Sequence, residues 1–149
     1  MSIAMSKDER EQFLADVHVG IFSIPNEGQG PLTCPVWYRY EPGGEIVVVT
    51  PTDSRKAGLL RPGCRVSFCV QQEAMPPKYV SIEGCVVSIE TASVDADVRP
   101  LAYRYLGREV GDQYVDATRT GAQSKDEVVV RIRPERWLSG DFLKRLTPA

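Results

Sequence analysis

Three neighbouring residues, Ser54, Arg55 and Lys56, could together hold an anion. Ser54 is a suitable N-cap for a short helix, which places the two cations in the first helical turn. The free N–H groups at a helix start are already positive, so two cations there are unfavourable unless an anion binds. A phosphate could accept from these N–H groups, the Ser54 hydroxyl and both cationic side chains. A solvated helix end is the alternative, and these residues alone leave both open.

Other side chains that could do chemistry are few. The chain has one histidine, His18, and four cysteines without a C-x-x-C spacing. A Ser-His-Asp triad or a multi-histidine metal site therefore has little material, and no metal is predicted. We expect His18 to be structural and the cysteines to be small buried hydrophobic residues rather than disulfides. The cysteines are Cys34, Cys64, Cys69 and Cys85.

Composition narrows the class of protein. The 149 residues are 42% hydrophobic and 26% charged, which predicts one soluble globular domain spanning 1–149. The net charge of -2 gives no reason to expect nucleic acid or an anionic membrane as a partner. Neither a signal-peptide-like start nor a run of about 20 apolar residues is present, which favours a cytoplasmic location.

The segment around Ser54 is predicted to be strand, short helix and strand. The β-branched run 46–49 suits a strand buried on both faces, and Pro51 stops its ladder because proline lacks an N–H. The short helix should run from Arg55 to Leu60, before Pro62-Gly63, and a further strand should cover 65–72.

The elements before this segment are a helix and two strands. Ser6 and Glu9 form a capping box for a helix over 6–16. Alternation predicts a strand over 17–22, and a second strand is expected over 32–40, with its pairing interrupted at Pro35. We expect these two strands and the strand at 45–50 to form a meander.

The elements after the 65–72 strand are a long strand, helical segments and a last strand. A strand over 78–90 alternates strongly, and Gly84 would permit a bulge or a close approach. Apolar residues from Val94 to Tyr105 recur at helical spacing, with a helix start near Asp97 or a kink at Pro100, and should cover one end of the barrel. The final predictions are a helical segment over 112–119, a loop over 121–126 and a strand over 127–133 that Pro134 ends.

Six strands in short meanders with helices at the start, middle and after strand five predict an α+β fold. The expected architecture is a closed or nearly closed six-stranded antiparallel β-barrel with flanking helices. A dinucleotide-binding Rossmann fold is excluded, because no G-x-G-x-x-G motif stands between a strand and a helix.

From Pro31 to Gly84 the chain resembles the split-barrel family of pyridoxamine 5'-phosphate oxidase and its flavin- or deazaflavin-binding relatives. Three short segments match in the family's order. Pro35-Val-Trp-Tyr38 is similar to the strand beside the isoalloxazine ring, and Val49-Thr50 with Ser54-Arg-Lys56 is similar to the phosphate-binding segment. Lys78-Tyr-Val-Ser-Ile-Glu-Gly84 is similar to the basic-x-V-x-[IV]-E-G strand. With this resemblance, we favour the phosphate-binding interpretation of Arg55 and Lys56.

The resemblance implies a homodimer with the cofactor in a groove between two barrels. By resemblance, Val36 and Trp37 would line the flavin-like ring, and Tyr79 would approach from the partner chain. Trp137 stands after the last predicted strand, where the oxidases carry an aromatic residue over the cofactor. The implied phosphate contacts are Thr50, Ser54, Arg55 and Lys56. For Trp37 and Trp137, core or interface packing is the alternative.

Two departures from the oxidases bear on the activity. Cys34 stands where the oxidases have an arginine for the cofactor phosphate, and their S-R-P…S-Q-type substrate segment is missing between Pro100 and Ser124. Pyridoxamine phosphate oxidation is therefore disfavoured. The short relatives that use the deazaflavin F420 lack these features too, and the chain is more similar to them. The resemblance thus implies an F420-dependent oxidoreductase that transfers hydride to a small organic substrate, with FMN as the alternative cofactor.

Two other classes of function remain open on the sequence. A non-catalytic protein could store, carry or sense FMN, F420 or haem, although His18 is the only histidine available for haem. A ligand-free structural barrel would require the Ser54-Arg-Lys56 segment to be accidental. F420 carries an acidic tail, and exposed cations such as Arg39, Arg61, Arg65 or Lys78 could meet it.

Overall fold

A computed structural model describes residues 2–119 and 125–146 of the chain. Six antiparallel strands form one curled sheet, in the order β2-β1-β4-β5-β6-β3. An isolated bridge between Arg39 and Val47 brings the segment after β2 against β3, at the opposite edge of the sheet, so the barrel is nearly closed. The strands are β1 (Gly20–Ile24), β2 (Leu32–Val36), β3 (Ile46–Pro51), β4 (Arg65–Gln72), β5 (Lys78–Thr91) and β6 (Glu127–Asp141). The predicted α+β six-stranded split barrel is confirmed.

The helices lie outside this sheet. The capping box is confirmed, since Glu9 N–H donates to Ser6 Oγ and Ser6 N–H donates to Glu9 Oε1. A π-helical turn over Val94–Val98 leads into the third helix, and a 3-10 helix, Phe142–Arg145, follows β6. The α-helices are α1 (Lys7–Ala15), α2 (Arg55–Leu59), α3 (Arg99–Leu106) and α4 (Arg108–Thr118). Among the described helices, none is long and apolar enough to cross a membrane.

The predicted meander of the first three strands is wrong. β1 pairs with β2, but β3 pairs with β6 and lies at the other edge of the sheet. The physical reason is the run Ile46–Val49, which is apolar at every position and needs cover on both faces. Next to β6, Ile46 and Val48 of β3 face the barrel core, while Val49 packs against the helical layer with Val98 and Ala102.

The alternation near the first strand is confirmed, but the strand begins and ends later than the predicted range 17–22. β1 starts at Gly20, and its buried residues are Gly20, Phe22 and Ile24. The exposed apolar residues are Val17, Val19 and Ile21. The second strand ends at Val36 rather than Tyr40 and includes Pro35, which pairs with Ile21. An edge strand tolerates this proline because its N–H position needs no partner on the open side.

The last strand does not end at Pro134. β6 continues to Asp141, because a register shift places Pro134 opposite Gly84 and Arg136 opposite Glu83, leaving Glu135 as a bulge. A ladder interrupted by a bulge accommodates a residue without an N–H. Gly84 makes the close approach that the sequence predicts, since a Cβ there would overlap the Arg133 carbonyl oxygen.

The helical pair between β5 and β6 covers the outer side of β3 rather than an end of the barrel. Val98, Ala102 and Val115 form a small apolar cluster with Val49. Arg99 links the two helices, because its NH1 group donates a hydrogen bond to Asp112 Oδ1 at 2.8 Å. The predicted helical segment 112–119 is longer at its start, and the predicted loop at 121–126 has its first four residues outside those described.

Candidate functional site

A cavity of about 300 Å³ lies between β3, the end of β2 and the helical pair. It is enclosed on one side by strand residues and on the other by α3 and α4. Its volume is at the lower end of the range for small-molecule sites. The lining residues are Pro35, Val36, Trp37, Val49, Thr50, Pro51, Lys56, Val98, Leu101, Ala102, Tyr114, Arg119 and Glu127. Four of the eight residues predicted for the cofactor site are therefore in one cavity.

One wall of the cavity is aromatic. The ring of Trp37 stacks on Tyr105 with centroids 4.8 Å apart and planes 11° apart. The hydroxyl of Tyr105 accepts from Tyr38 N–H at 3.0 Å and donates to the His18 carbonyl at 2.6 Å. Tyr105 is thereby fixed at three points, and it fixes the indole. Trp37 presents a rigid apolar surface suited to the edge or face of a planar ligand.

The cavity also has polar lining residues. Thr50 and Ser54 hydroxyl oxygens lie 3.0 Å apart, and Ser54 Oγ accepts from Ala57 N–H, so the predicted N-cap is confirmed. Lys56 lines the cavity, and among the described residues no carboxylate lies within 4 Å of its ammonium. Arg55 is exposed and is not among the lining residues. Because α2 has only five residues, its dipole is small, and the side chains must supply most of the attraction for an anion.

A paired arginine also lines the cavity. Arg119 makes a two-point bond with Glu127, at 2.9 Å from Nε to Oε1 and 3.1 Å from NH2 to Oε2. Its guanidinium also lies 5.3 Å from the Tyr114 ring centroid. Burial disfavours the charge, yet the bonds to Glu127 raise the pKa of Arg119 above its usual value. Lys56 is thus the cation of this cavity whose charge is not already neutralised within the described chain.

Tyr79 and Trp137 lie elsewhere in the same chain. Tyr79 is on β5 opposite Gly140 and Gln71. Trp137 is on β6, where the Arg10 guanidinium lies 4.7 Å from its ring centroid and Tyr40 packs at 6.4 Å. One chain therefore does not bring either residue into the cavity with Lys56, and a role for them there would need a second copy.

The outer face of the barrel carries an uncharged row across five strands. Register places one residue from each of β2, β1, β4, β5 and β6 side by side. Ile21 is 38% exposed and Leu138 is 64% exposed. In strand order the row is Pro35, Ile21, Cys69, Ser81 and Leu138.

The four cysteines are free thiols, and they are half-buried rather than buried as expected. Two of them, Cys69 and Cys85, lie outside the core.

Sequence reasoning missed the helical roof of the cavity. Tyr105 and Tyr114 are more than 60 residues from Trp37 along the chain and contact it only through the fold. Arg119 lines the same cavity and lies against Tyr114. Their signal in the sequence was limited to the helical spacing of Leu101, Ala102 and Tyr105. His18 behaves as expected, with Nε2 at 2.9 Å from the Phe13 carbonyl, and burial lowers the pKa of its ring.

Comparisons with known proteins agree with this fold. A family model described as pyridoxamine 5'-phosphate oxidase matches residues 6–139. A conserved hypothetical protein from Mycobacterium tuberculosis has 29% identity, with 99% of this chain and 92% of that chain covered and a TM-score of 0.74. An FAD-binding protein from Mesorhizobium loti has 24% identity, coverages of 91% and 94%, and a TM-score of 0.60. A structure described as an F420 reductase has 20% identity, coverages of 86% and 94%, and a TM-score of 0.59. No curated protein sequence matches the chain.

Proposed function

Since the chain belongs to the pyridoxamine 5'-phosphate oxidase family, we propose that it is an F420-dependent oxidoreductase acting on a small organic substrate. The observation that carries the proposal is that one cavity combines an aromatic surface with a cation that has no ion-pair partner within the described chain. Trp37, which is stacked on Tyr105, lines this cavity together with Thr50 and the cation, Lys56. The Thr50 hydroxyl lies 3.0 Å from that of Ser54. A planar ring bearing a phosphorylated side chain matches both features.

The residues present fit such a cofactor on chemical grounds. Val36 and Trp37 are at the end of an edge strand, where backbone groups and a flat side chain can meet a ring. Lys56 is a cation without a carboxylate partner among the described residues. Thr50 lines the same cavity, and its hydroxyl and that of Ser54, 3.0 Å apart, are hydrogen-bond partners for a phosphate. Arg55 adds a second positive charge just outside the cavity.

The reduced deazaflavin, when bound, supplies the hydride for an electron-poor C=C or C=N bond. The chain orients the cofactor and excludes water from the cavity. Val36 and Trp37 would line the ring, and Leu101 and Ala102 of α3 would exclude water from the apolar part of the cavity. Lys56 would hold the phosphate. We assign the proton either to solvent or to Tyr79 of the partner subunit.

F420 is preferred over FMN because the chain departs from the oxidases at two places. Cys34, half-buried on β2 opposite Phe22, replaces the arginine that binds phosphate in the oxidases. The segment that binds the oxidase substrate is also missing from the region of α3 and α4. The solved F420 reductase and FAD-binding structures share the fold with this chain, so the choice of cofactor depends on these residues.

A homodimer is part of the proposal. The uncharged outer row ending in Leu138 offers an apolar surface of the kind that marks protein interfaces. Tyr79 and Trp137 lie outside the cavity of their own chain, so a second copy is needed for either to contact the cofactor. The proposed site is therefore completed by the partner.

The proposal is tested by titrating the protein with F420 and, separately, with FMN, with fluorescence as the measure of binding. We expect micromolar or tighter F420 binding that weakens at least tenfold in the Arg55→Ala, Lys56→Ala double variant. Lys7→Ala with Arg145→Ala, which removes the same charge from other exposed positions, should bind like the wild type. Selective FMN binding would transfer the protein to the flavin-dependent members, and binding of neither cofactor would remove the proposal.

A second measurement separates an enzyme from a carrier. An enzyme should oxidise bound reduced F420 faster than free reduced F420 in the presence of a C=C or C=N acceptor. A carrier that stores F420, FMN or haem would bind tightly without this acceleration. Haem is disfavoured because His18 is half-buried, with its ring packed on Phe13 and Nε2 bonded to that residue's carbonyl.

A further inference from the structure

A second cleft, of about 310 Å³, shares no lining residue with the cofactor cavity. Three arginines line it, one from each of three elements. Arg39 follows β2, Arg104 is on α3 and Arg131 is on β6. The remaining lining residues are Tyr40, Glu41, Gly44, Glu45 and Val47.

Sheet register places two of these arginines on the same face of the sheet, with Val47 between them. Arg39 bridges Val47, and Val47 is directly opposite Arg131, so the three residues form one cross-strand row. Neighbouring strands are about 4.8 Å apart, which separates the backbones of Arg39 and Arg131 by about 10 Å. Two long side chains at this spacing can reach the same small group between them.

Among the described residues, one of the three arginines in this cleft has a carboxylate within 4 Å. Arg39 has Asp97 at 3.6 Å, but Asp97 also accepts from Ser93 N–H at 2.8 Å. Among the described residues, no carboxylate lies within 4 Å of the Arg131 guanidinium. Glu41 and Glu45 line the same cleft, yet neither is within ion-pair distance of any arginine that the structure describes.

Unused hydrogen-bond donors accompany the charge. The Nε atoms of Arg39 and Arg104 are both buried without a partner in the described part of the chain. Arg104 is held rigidly, because its two terminal nitrogens donate to the Ala15 and Asp16 carbonyls at 3.0 and 2.7 Å. Buried donors without partners are unfavourable, and a ligand that accepts from them removes the penalty.

We propose that this cleft binds a small oxyanion-bearing ligand, with Arg39 and Arg131 as its charged contacts and Arg104 as the fixed wall behind them. Guanidinium groups match carboxylate and phosphate oxygens in two-point geometry. Glu41 and Glu45 restrict the ligand, because they repel a large polyanion more strongly than an anion of one or two charges. The proposal does not depend on the cofactor cavity.

NMR titration of the ¹⁵N-labelled protein tests it, with succinate as the carboxylate probe and inorganic phosphate as the phosphate probe. We expect saturable shifts at Val47 and at the arginine Nε–H groups with at least one probe, and the responding probe identifies the oxyanion. Arg131→Gln and Arg39→Gln should each weaken this binding at least tenfold. Arg136→Gln, which removes an exposed arginine from the same strand, should not.

Two further variants make the test independent of folding and of the proposed function. Glu45→Gln should tighten binding about threefold, since it removes a repulsive charge, and a damaged fold could not produce that result. The Arg55→Ala, Lys56→Ala double variant should bind the probe normally, while Arg131→Gln should bind F420 normally. Failure of both probes to bind, or equal binding by all arginine variants, would overturn the proposal.

Discussion

At the scale of single residues, Lys56 and Arg55 are adjacent in sequence but not equivalent in space. Lys56 lines the cavity, whereas Arg55 is exposed beside it. We expect Lys56→Ala to weaken F420 binding at least tenfold, because the partly enclosed charge is less screened by water than an exposed one. Arg55→Ala should weaken it less than about threefold. Fluorescence titration of the two single variants measures both, and a larger effect of Arg55 would contradict the assigned anchor.

Tyr105 is the residue whose hydroxyl has the greatest structural role near the cavity. It accepts from the Tyr38 N–H and donates to the His18 carbonyl. Tyr105→Phe leaves that N–H without a partner, so the free energy of unfolding should fall by about 2 kcal/mol. Tyr79→Phe is the matched control, since the described residues give its hydroxyl no hydrogen bond, and it should change stability by less than about 0.5 kcal/mol.

Urea unfolding monitored by tryptophan fluorescence measures both tyrosine variants. A Tyr105→Phe protein as stable as the wild type would mean that water replaces the lost hydroxyl at Tyr38. Because the substituted ring still stacks on Trp37, a large loss of stability would come from the hydrogen bonds and not from packing.

Hydrogen bonds between residues close in the sequence, unlike those of Tyr105, are predictable from the sequence. The caps at Ser6 and Ser54 involve residues within three positions, and both were predicted correctly. The contacts of Tyr105, Tyr114 and Arg119 were not predictable, because they depend on where the helical pair packs after β5. A sequence pattern indicates that such a helix has an apolar face, but not which surface that face will cover.

At the scale of elements, the pairing of β5 with β6 depends on Gly84. An added Cβ would overlap the Arg133 carbonyl oxygen, which is backbone and cannot rotate away. Gly84→Ala should therefore lower the free energy of unfolding by about 3 kcal/mol. Gly58→Ala, in α2, is the control, because no described atom outside its own helix turn lies within 4 Å of the position that a Cβ would take, and its backbone angle suits alanine.

Gly58→Ala should instead raise stability by about 0.5 kcal/mol, since alanine loses less conformational entropy in a helix. Thermal and urea unfolding of the two variants give the comparison. Equal behaviour of both alanines would mean that the bulge opposite Gly84 shifts to admit a side chain.

Elements were predicted better than their partners in the sheet. The sequence predicts the strand around Gly84 and the close approach at that residue, but it also predicts a strand end at Pro134, because proline usually interrupts pairing. The bulge at Glu135 resolves this conflict, and only the register of β5 against β6 reveals it. The sequence does not predict the edge position of β3 either, because a run of four apolar residues does not determine which strand pairs with it.

At the scale of the whole molecule, the outer row of the barrel connects assembly to cofactor binding. If the row packs against a second copy, replacement of Leu138 by lysine places a charge in an apolar interface and should dissociate the dimer. Leu138 is 64% exposed in the single chain, so Leu138→Lys should not unfold it. Leu146→Lys is the control, because Leu146 is 69% exposed but follows the sheet and its row.

Light scattering coupled to size-exclusion chromatography should show a dimer for the wild type and Leu146→Lys, and a monomer for Leu138→Lys. Because the proposed contacts of Tyr79 and Trp137 with the cofactor come from a partner, F420 binding should weaken at least tenfold together with dimer loss. A Leu138→Lys monomer that binds F420 normally would mean that each cavity is complete in one chain. A monomeric wild type would instead require another occupant for the exposed row, since Ile21 and Leu138 are apolar and solvent-facing in the isolated chain.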